Sequence, residues 1–225
     1  LSEVEGLSQS IMFWRCFTHW VGGMGIIVFV MAILPNVSER PIHILRAEIP
    51  GPTVGKLVPR IKDTALILYL IYIVMTVIET VMLLFGGMSF FESLLHTFGT
   101  AGTGGFGLKR DSLASYSPYI QWVITAFMIL FGVNFNLYYL MLLKKFKAVV
   151  TSTELWAYFG IILSSAALIA WNIRHLFVGT EQTVRTAAFQ VASVISTTGY
   201  ATADFNLWPN FSKNILFILM FIGGY

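Results

Sequence analysis

Two short stretches have residue types and spacing suited to one kind of chemistry, holding a small cation stripped of its water. Residues 102–106 read G-T-G-G-F and residues 196–200 read S-T-T-G-Y. Setting Gly105 on Gly199 fixes an offset of 94 residues, at which Thr103 meets Thr197 and Phe106 meets Tyr200. A dehydrated cation needs oxygen ligands, and backbone carbonyls supply them without adding net charge. Glycine reaches positive φ at no steric cost, so it lets successive carbonyls turn toward one axis. The carbonyls of Thr103, Gly104, Gly105, Thr197, Thr198 and Gly199 are therefore the expected ion ligands. Phe106 and Tyr200 are expected to wedge their loops in place. Asp111 and Asp204 follow the two glycines by six and five residues, and acids at an outer mouth would concentrate cations there.

Elements must hold these loops, and the chain offers apolar segments of two lengths. Residues 11–34, 64–87, 119–143 and 154–177 are long enough to cross a hydrocarbon core of about 30 Å at 1.5 Å per residue, and a further run begins at Asn214. Residues 90–101 and 184–195 are apolar but only 12 residues long, about 18 Å as helix. Runs of that length suit re-entrant segments or buried core helices. Each leads into one of the glycine loops. The repeated unit is span, short helix, T-x-G-[FY], span, and a helix ending at the loop would turn its negative dipole end toward the cation. Loop backbone at membrane depth is tolerated only where protein buries it or water lines it.

Composition agrees with lipid as the main solvent. Of 225 residues, 56% are hydrophobic and 11% charged, against about 25% charged in soluble domains. The net charge of +3 gives no nucleic-acid patch. Connectors 36–63 and 144–153 hold eight of the 14 basic residues, which places them in the cytoplasm by the positive-inside rule. The short helices then enter from the outside. Cys16 stands alone, and no second His or Cys lies at metal spacing from His19 or His96. No H-E-x-x-H, G-x-S-x-G or carboxylate pair lies within the spans, which argues against an intramembrane hydrolase.

Some residues carry two readings. Glu79, mid-span, is a functional candidate by default or a buried group paired with a polar neighbour. Asn134 and Asn136 are interhelical hydrogen bonders or pore-facing groups. The glycines at 22–25 permit close helix packing or a hinge.

Several motifs resemble the Trk/Ktr/HKT superfamily of K⁺ transporters, and within it the bacterial TrkH-type membrane subunit. They are F-W-R-C-F-T-H-W-V-G-G-M-G at 13–25, R-A-E-I-P-G-P at 46–52, T-A-G-T-G-G-F at 100–106 and S-T-T-G-Y-A-T-A-D-F at 196–205. The resemblance implies an all-α integral membrane fold of repeated span–pore helix–selectivity loop–span units around a central pore. By that pattern the chain is an interior stretch: 1–35 ends a first unit, 64–143 is the second, 154–225 a truncated third, and 36–63 and 144–153 are connectors. The implied cargo is K⁺, with no organic cofactor, in the inner membrane of a bacterium. Na⁺ or mixed transport and a non-conducting assembly subunit are the competing readings. The resemblance also implies a homodimer, and a gate where the span after the third loop breaks, here Gly223 and Gly224. It further implies a cytoplasmic ring of nucleotide-binding, TrkA-like regulatory subunits, docking near Lys144, Lys145 and Lys147.

Overall fold

The computed structural model describes residues 6–25 and 61–223, all helix, turn and loop with no strand among them. Most of connector 36–63, Gly224 and residues 26–34 of segment 11–34 lie outside the described residues. The helices are α1 (Gln9–Gly23), α2 (Ile61–Phe85), α3 (Phe90–Ala101), α4 (Pro118–Phe131), α5 (Phe135–Leu142), α6 (Phe146–Val150), α7 (Thr153–Ile173), α8 (Thr180–Ile195) and α9 (Asn210–Ile222).

Helices α2 and α7 are long and apolar enough to cross a membrane. Each turns a broad apolar face outward, including Leu70, Val77 and Val81 of α2 and Leu163 and Leu168 of α7. Such faces are stable against lipid. Helix α3 packs on α1, α2 and α4, and α8 packs on α7, α4 and α9, so α4 touches both short helices. One core gathers Tyr72, Leu83, Ile124, Met128, Phe189 and Tyr200. A second gathers Ile162, Ile169, Val191, Leu216 and Leu219.

The expected short helix 90–101 has those bounds because both ends are chemically marked. Ser89 and Glu92 form a capping box, with the Ser89 hydroxyl accepting from the Glu92 amide at 3.3 Å and the Glu92 carboxylate accepting from the Ser89 amide at 3.2 Å. Gly102 ends it. The second short helix begins at Thr180 rather than 184. Glu181 and Arg185 form an i, i+4 pair on its first turns, Arg185 Nε to Glu181 Oε1 at 2.9 Å.

Two expected spans are corrected. Helix α1 ends at Gly23, and Gly25 adopts φ +78°, so segment 11–34 is not one continuous helix. Segment 119–143 is not one either: α4 and α5 meet at a break of 86°. Gly132 caps the first half. The Asn134 side chain accepts from the Asn136 amide at 3.0 Å to start the second. Carbonyls freed by the bend are met by tyrosines, Tyr138 donating to Leu130 at 2.7 Å and Tyr158 to Ile129 at 3.1 Å. That is how a helix break survives at membrane depth. Asn134 is thus a cap, and its amide also donates to Glu154 at 3.2 and 3.3 Å.

Candidate functional site

The loops after α3 and α8 share three backbone hydrogen bonds at the offset of 94. Gly102 N–H donates to Phe98 and Ser196 N–H to Ala192, both at 3.0 Å. Thr103 donates to Thr100 at 3.2 Å and Thr197 to Val194 at 3.1 Å. Gly105 donates to Gly99 at 3.4 Å and Gly199 to Ser193 at 3.3 Å. Positive φ falls at Thr103 (50°) and Gly105 (60°), and at Thr197 (57°) and Gly199 (89°). The glycines are where the sequence asks for this conformation. The threonines are not: a β-branched residue in the left-handed region costs about 1–3 kcal/mol and persists only when its surroundings over-determine it. Here the amides bound to the end of the short helix hold it there.

The consequence is directional. Loop amides 102–105 are all spent on the last turn of α3, with Gly104 also donating to Gly99 at 2.8 Å. The carbonyls of Thr103, Gly104 and Gly105 receive none of these bonds. Thr103, Thr197 and Gly199 are exposed, Gly104 and Gly105 half-buried, and Thr198 buried with its hydroxyl 2.7 Å from that of Ser196. The two loops also touch. A methyl group on Gly105 would fall on the Thr198 carbonyl, 2.8 Å from its carbon.

The two aromatics differ. Tyr200 is fully buried and donates to the His96 carbonyl at 3.2 Å, while Ser193 donates to the Tyr200 carbonyl at 2.6 Å. Gly99 gives Tyr200 room, since a methyl there would lie 3.2 Å from its ring carbon bearing the hydroxyl. Phe106 is 47% exposed, against His19 and under the Arg15 guanidinium at 5.2 Å.

Asp111 and Asp204 are exposed. The segments carrying them are stitched together: Leu113 N–H donates to the Ala201 carbonyl at 3.0 Å, and Ala201 N–H to the Ser112 hydroxyl at 3.2 Å. Asp204 also accepts from the Asn206 amide at 2.9 Å, capping a short 3₁₀ turn.

Sequence reading missed a clamp above the loops. Arg185 is buried, with its guanidinium on Glu181 and on the Gln121 side-chain oxygen. Gln121 donates to the carbonyls of Leu113, Ala114 and Tyr116, and Trp122 donates to Glu181 at 3.0 Å. Arg185 at i+4 from Glu181 was the available signal. Hydrogen bonds from Arg185 and then Trp122 hold the exposed Glu181 carboxyl below its usual range. A depressed carboxyl contributes stability in full above its ordinary value of 4.5 and loses it as pH falls through the folded value. The melting temperature of the purified protein should therefore drop below pH 4.5, and Glu181→Gln should flatten that part of the profile. Parallel wild-type and variant curves would refute the coupling.

Below the loops lies a cavity of about 490 Å³. It is bounded by the ends of α3 and α8 at Ala101, Thr103, Ile195 and Thr197, and by three helix ends at Gly23, Gly132 and Gly223. At each, glycine allows close approach. A methyl on Gly23 would lie 2.8 Å from Gly102 Cα, one on Gly223 2.9 Å from the Ile195 carbonyl carbon, and one on Gly132 3.3 Å from the Tyr158 ring. Lys144, Lys145 and Lys147 are exposed together around the turn between α5 and α6, where Lys144 adopts φ +57°. Among the described residues no group of three His, Cys, Asp or Glu could hold a metal ion.

Short helices ending in glycine loops, packed among long apolar helices beside a shared cavity, define an all-α integral membrane protein. Residues 1–159 match the model of the TrkH family, described as cation transport protein, and the chain belongs to that family. It is 34% identical over 230 residues to the Trk system potassium uptake protein TrkH of Escherichia coli K12, and 31% over 245 residues to that of Halomonas elongata. Both alignments cover all of this chain and 47% of the relative, so the chain spans about half the length of those proteins. The crystal structure of the potassium transporter TrkH from Vibrio parahaemolyticus superposes with a TM-score of 0.74 at 27% identity, over 96% of this chain and 44% of that one. A member of this family is a transporter and not an enzyme.

Proposed function

We propose that this chain forms part of a pore for K⁺ in the inner membrane of a bacterium, with the carbonyls of Thr103, Gly104, Gly105, Thr197, Thr198 and Gly199 as ion ligands. The supporting observation is the disposition of the loop amides. With the amides of Gly102, Thr103, Gly104, Gly105, Ser196, Thr197 and Gly199 spent on the short helices, the carbonyls are the polar groups left to replace a hydration shell. Alternating positive φ at 103 and 105, and at 197 and 199, is the backbone pattern that lets successive carbonyls turn toward one axis. The negative ends of α3 and α8 favour a cation at the loops and in the cavity. Asp111 and Asp204 attract cations to the mouth, and Phe106 and Tyr200 support the loops. K⁺ is the cargo in the names of the relatives, and no organic cofactor is invoked.

Below the loops, Gly223 at the end of α9 forms the gate together with Gly224, which lies outside the described residues. The exposed Lys144, Lys145 and Lys147 form the docking face for a cytoplasmic nucleotide-binding regulatory ring, and two copies of the full-length chain make up the assembly. The test is flux by the full-length protein in liposomes. K⁺ should pass in strong preference to Na⁺. Equal K⁺ and Na⁺ fluxes would remove the selectivity assignment, and absence of both would leave an assembly role.

A further inference from the structure

Glu79 lies in the second half of α2, fully buried, and neither of its carboxylate oxygens meets a hydrogen-bond partner. Among the described residues no basic side chain bridges to it. Polar residues stand near it on α2 and α3, and Trp20 Nε1 donates to the Thr76 hydroxyl at 3.1 Å. Thr76 donates to the Tyr72 carbonyl at 2.8 Å. Thr80 donates to the Thr76 carbonyl at 2.9 Å, with Thr97 of α3 3.2 Å away. The Thr100 hydroxyl lies beside the Glu79 carboxyl, yet its proton goes to the His96 carbonyl at 2.9 Å. A threonine hydroxyl has one proton and two lone pairs. Thr76, Thr80 and Thr100 have each placed that proton on a backbone carbonyl, so they offer only lone pairs. The ionisable side chains facing the carboxyl are Tyr72 on its own helix and Tyr200 from the loop after α8. The Tyr200 proton is also on the His96 carbonyl. Arg15, beyond Tyr200, is engaged with the Phe106 ring and the Gly107 carbonyl.

An ionised carboxylate would add a charge and further acceptors where no donor reaches it. A carboxylic acid would supply the missing one. We propose that Glu79 is held as a neutral acid that donates its proton to Thr100 Oγ, and so acts as a positioning residue for loop 102–106. The inference rests on reading that loop as part of the ion filter. Thr100 stands two residues before Gly102, and the His96 carbonyl it binds is the one that receives Tyr200. A proton on Glu79 thus completes a chain from α2 through the last turn of α3 to the aromatic of the other loop. Two loops that meet through Gly105 and Thr198 on the pore side are tied together behind it as well.

The proposal is tested on the full-length protein by infrared absorption and by flux ratio. Wild type should show a carboxylic-acid C=O stretch that is absent from Glu79→Gln and shifted in Thr100→Val. The Gln amide preserves shape and a donor, so Glu79→Gln should keep the K⁺/Na⁺ flux ratio within about twofold of wild type. Glu79→Leu should lower it about fivefold, the equivalent of one net hydrogen bond. If Glu79→Leu does not reach the membrane, the Thr100 pair decides: Thr100→Val should lower the ratio about as far, and Thr100→Ser should retain it. No acid band lost in Glu79→Gln, equal damage from Gln and Leu, or a wild-type ratio in both Leu and Val variants would each overturn the proposal. Failure of the filter reading has a different signature, a wild-type protein without K⁺/Na⁺ preference whose acid band persists.

Discussion

Gly105→Ala should abolish most discrimination between K⁺ and Na⁺ while leaving the protein in the membrane. Two costs coincide at this residue. Its φ of +60° is left-handed, which costs an L-residue about 1–2 kcal/mol. The new methyl would also fall on the Thr198 carbonyl, 2.8 Å from its carbon and 2.9 Å from that of Gly199. Backbone cannot rotate aside as a side chain can, so the second loop must move, and the group displaced is a proposed ion ligand. Overpacking of this kind costs about 1–3 kcal/mol. Since about 1.4 kcal/mol is tenfold in a rate, the K⁺/Na⁺ flux ratio should fall at least about tenfold. Gly22→Ala is the control, because a methyl there meets nothing within 4 Å and alanine favours the helix by about 0.5–1 kcal/mol. An unchanged ratio in Gly105→Ala would show that these carbonyls do not select the ion. Gly199, equivalent in sequence, is not equivalent in space. Its φ is +89°, but a methyl there meets nothing within 4 Å, so Gly199→Ala bears the conformational cost alone and should have the milder effect.

Gly223→Ala should alter flux and leave ion preference nearly intact. Gly223 caps α9, with its amide on the Leu219 carbonyl at 2.8 Å. A methyl would lie 2.9 Å from both Cα and the carbonyl carbon of Ile195, the last residue of α8. The end of α9 must then withdraw, which reshapes one wall of the cavity below the loops. A shift of about 1 kcal/mol between open and closed arrangements is about fivefold in their ratio. K⁺ and Na⁺ fluxes should therefore change together by about that factor. Gly160→Ala, on α7 with nothing within 4 Å, should leave both as they were. A change in the K⁺/Na⁺ ratio at constant K⁺ flux would place Gly223 in the filter instead.

What could be foreseen followed local chemistry. Helix α3 was legible because Ser89, Glu92 and Gly102 mark its ends. The start of α8 was not, because hydropathy discards Thr180 to Thr183, although the Glu181–Arg185 pair is a helical signal. The bend between α4 and α5 was hidden by unbroken apolarity through 119–143. Gly132 followed by Asn134 is a stop and a start in two residues, and only the 86° angle shows that both are used. The left-handed threonines were not legible at all, because threonine does not favour that region and hydrogen bonds to the preceding helix impose it. The contacts Gly105–Thr198 and Tyr200–His96 join residues 93 and 104 apart in sequence, beyond the reach of any local pattern.

The contact between Gly105 and Thr198 also sets an order of events during synthesis. A ribosome adds about 5–20 residues per second, so loop 102–106 emerges about 5–20 s before its counterpart. Throughout that interval the first loop lacks the carbonyl it rests on, and His96 lacks the Tyr200 hydroxyl. The short helix α3 can cap and seat itself against α1 and α2 at once, because those partners are already made. Its loop cannot settle until α8 has entered the bilayer. The two halves of the proposed ion path are thus completed in a single late step, and a chain arrested before residue 200 carries a membrane-inserted but unlocked loop.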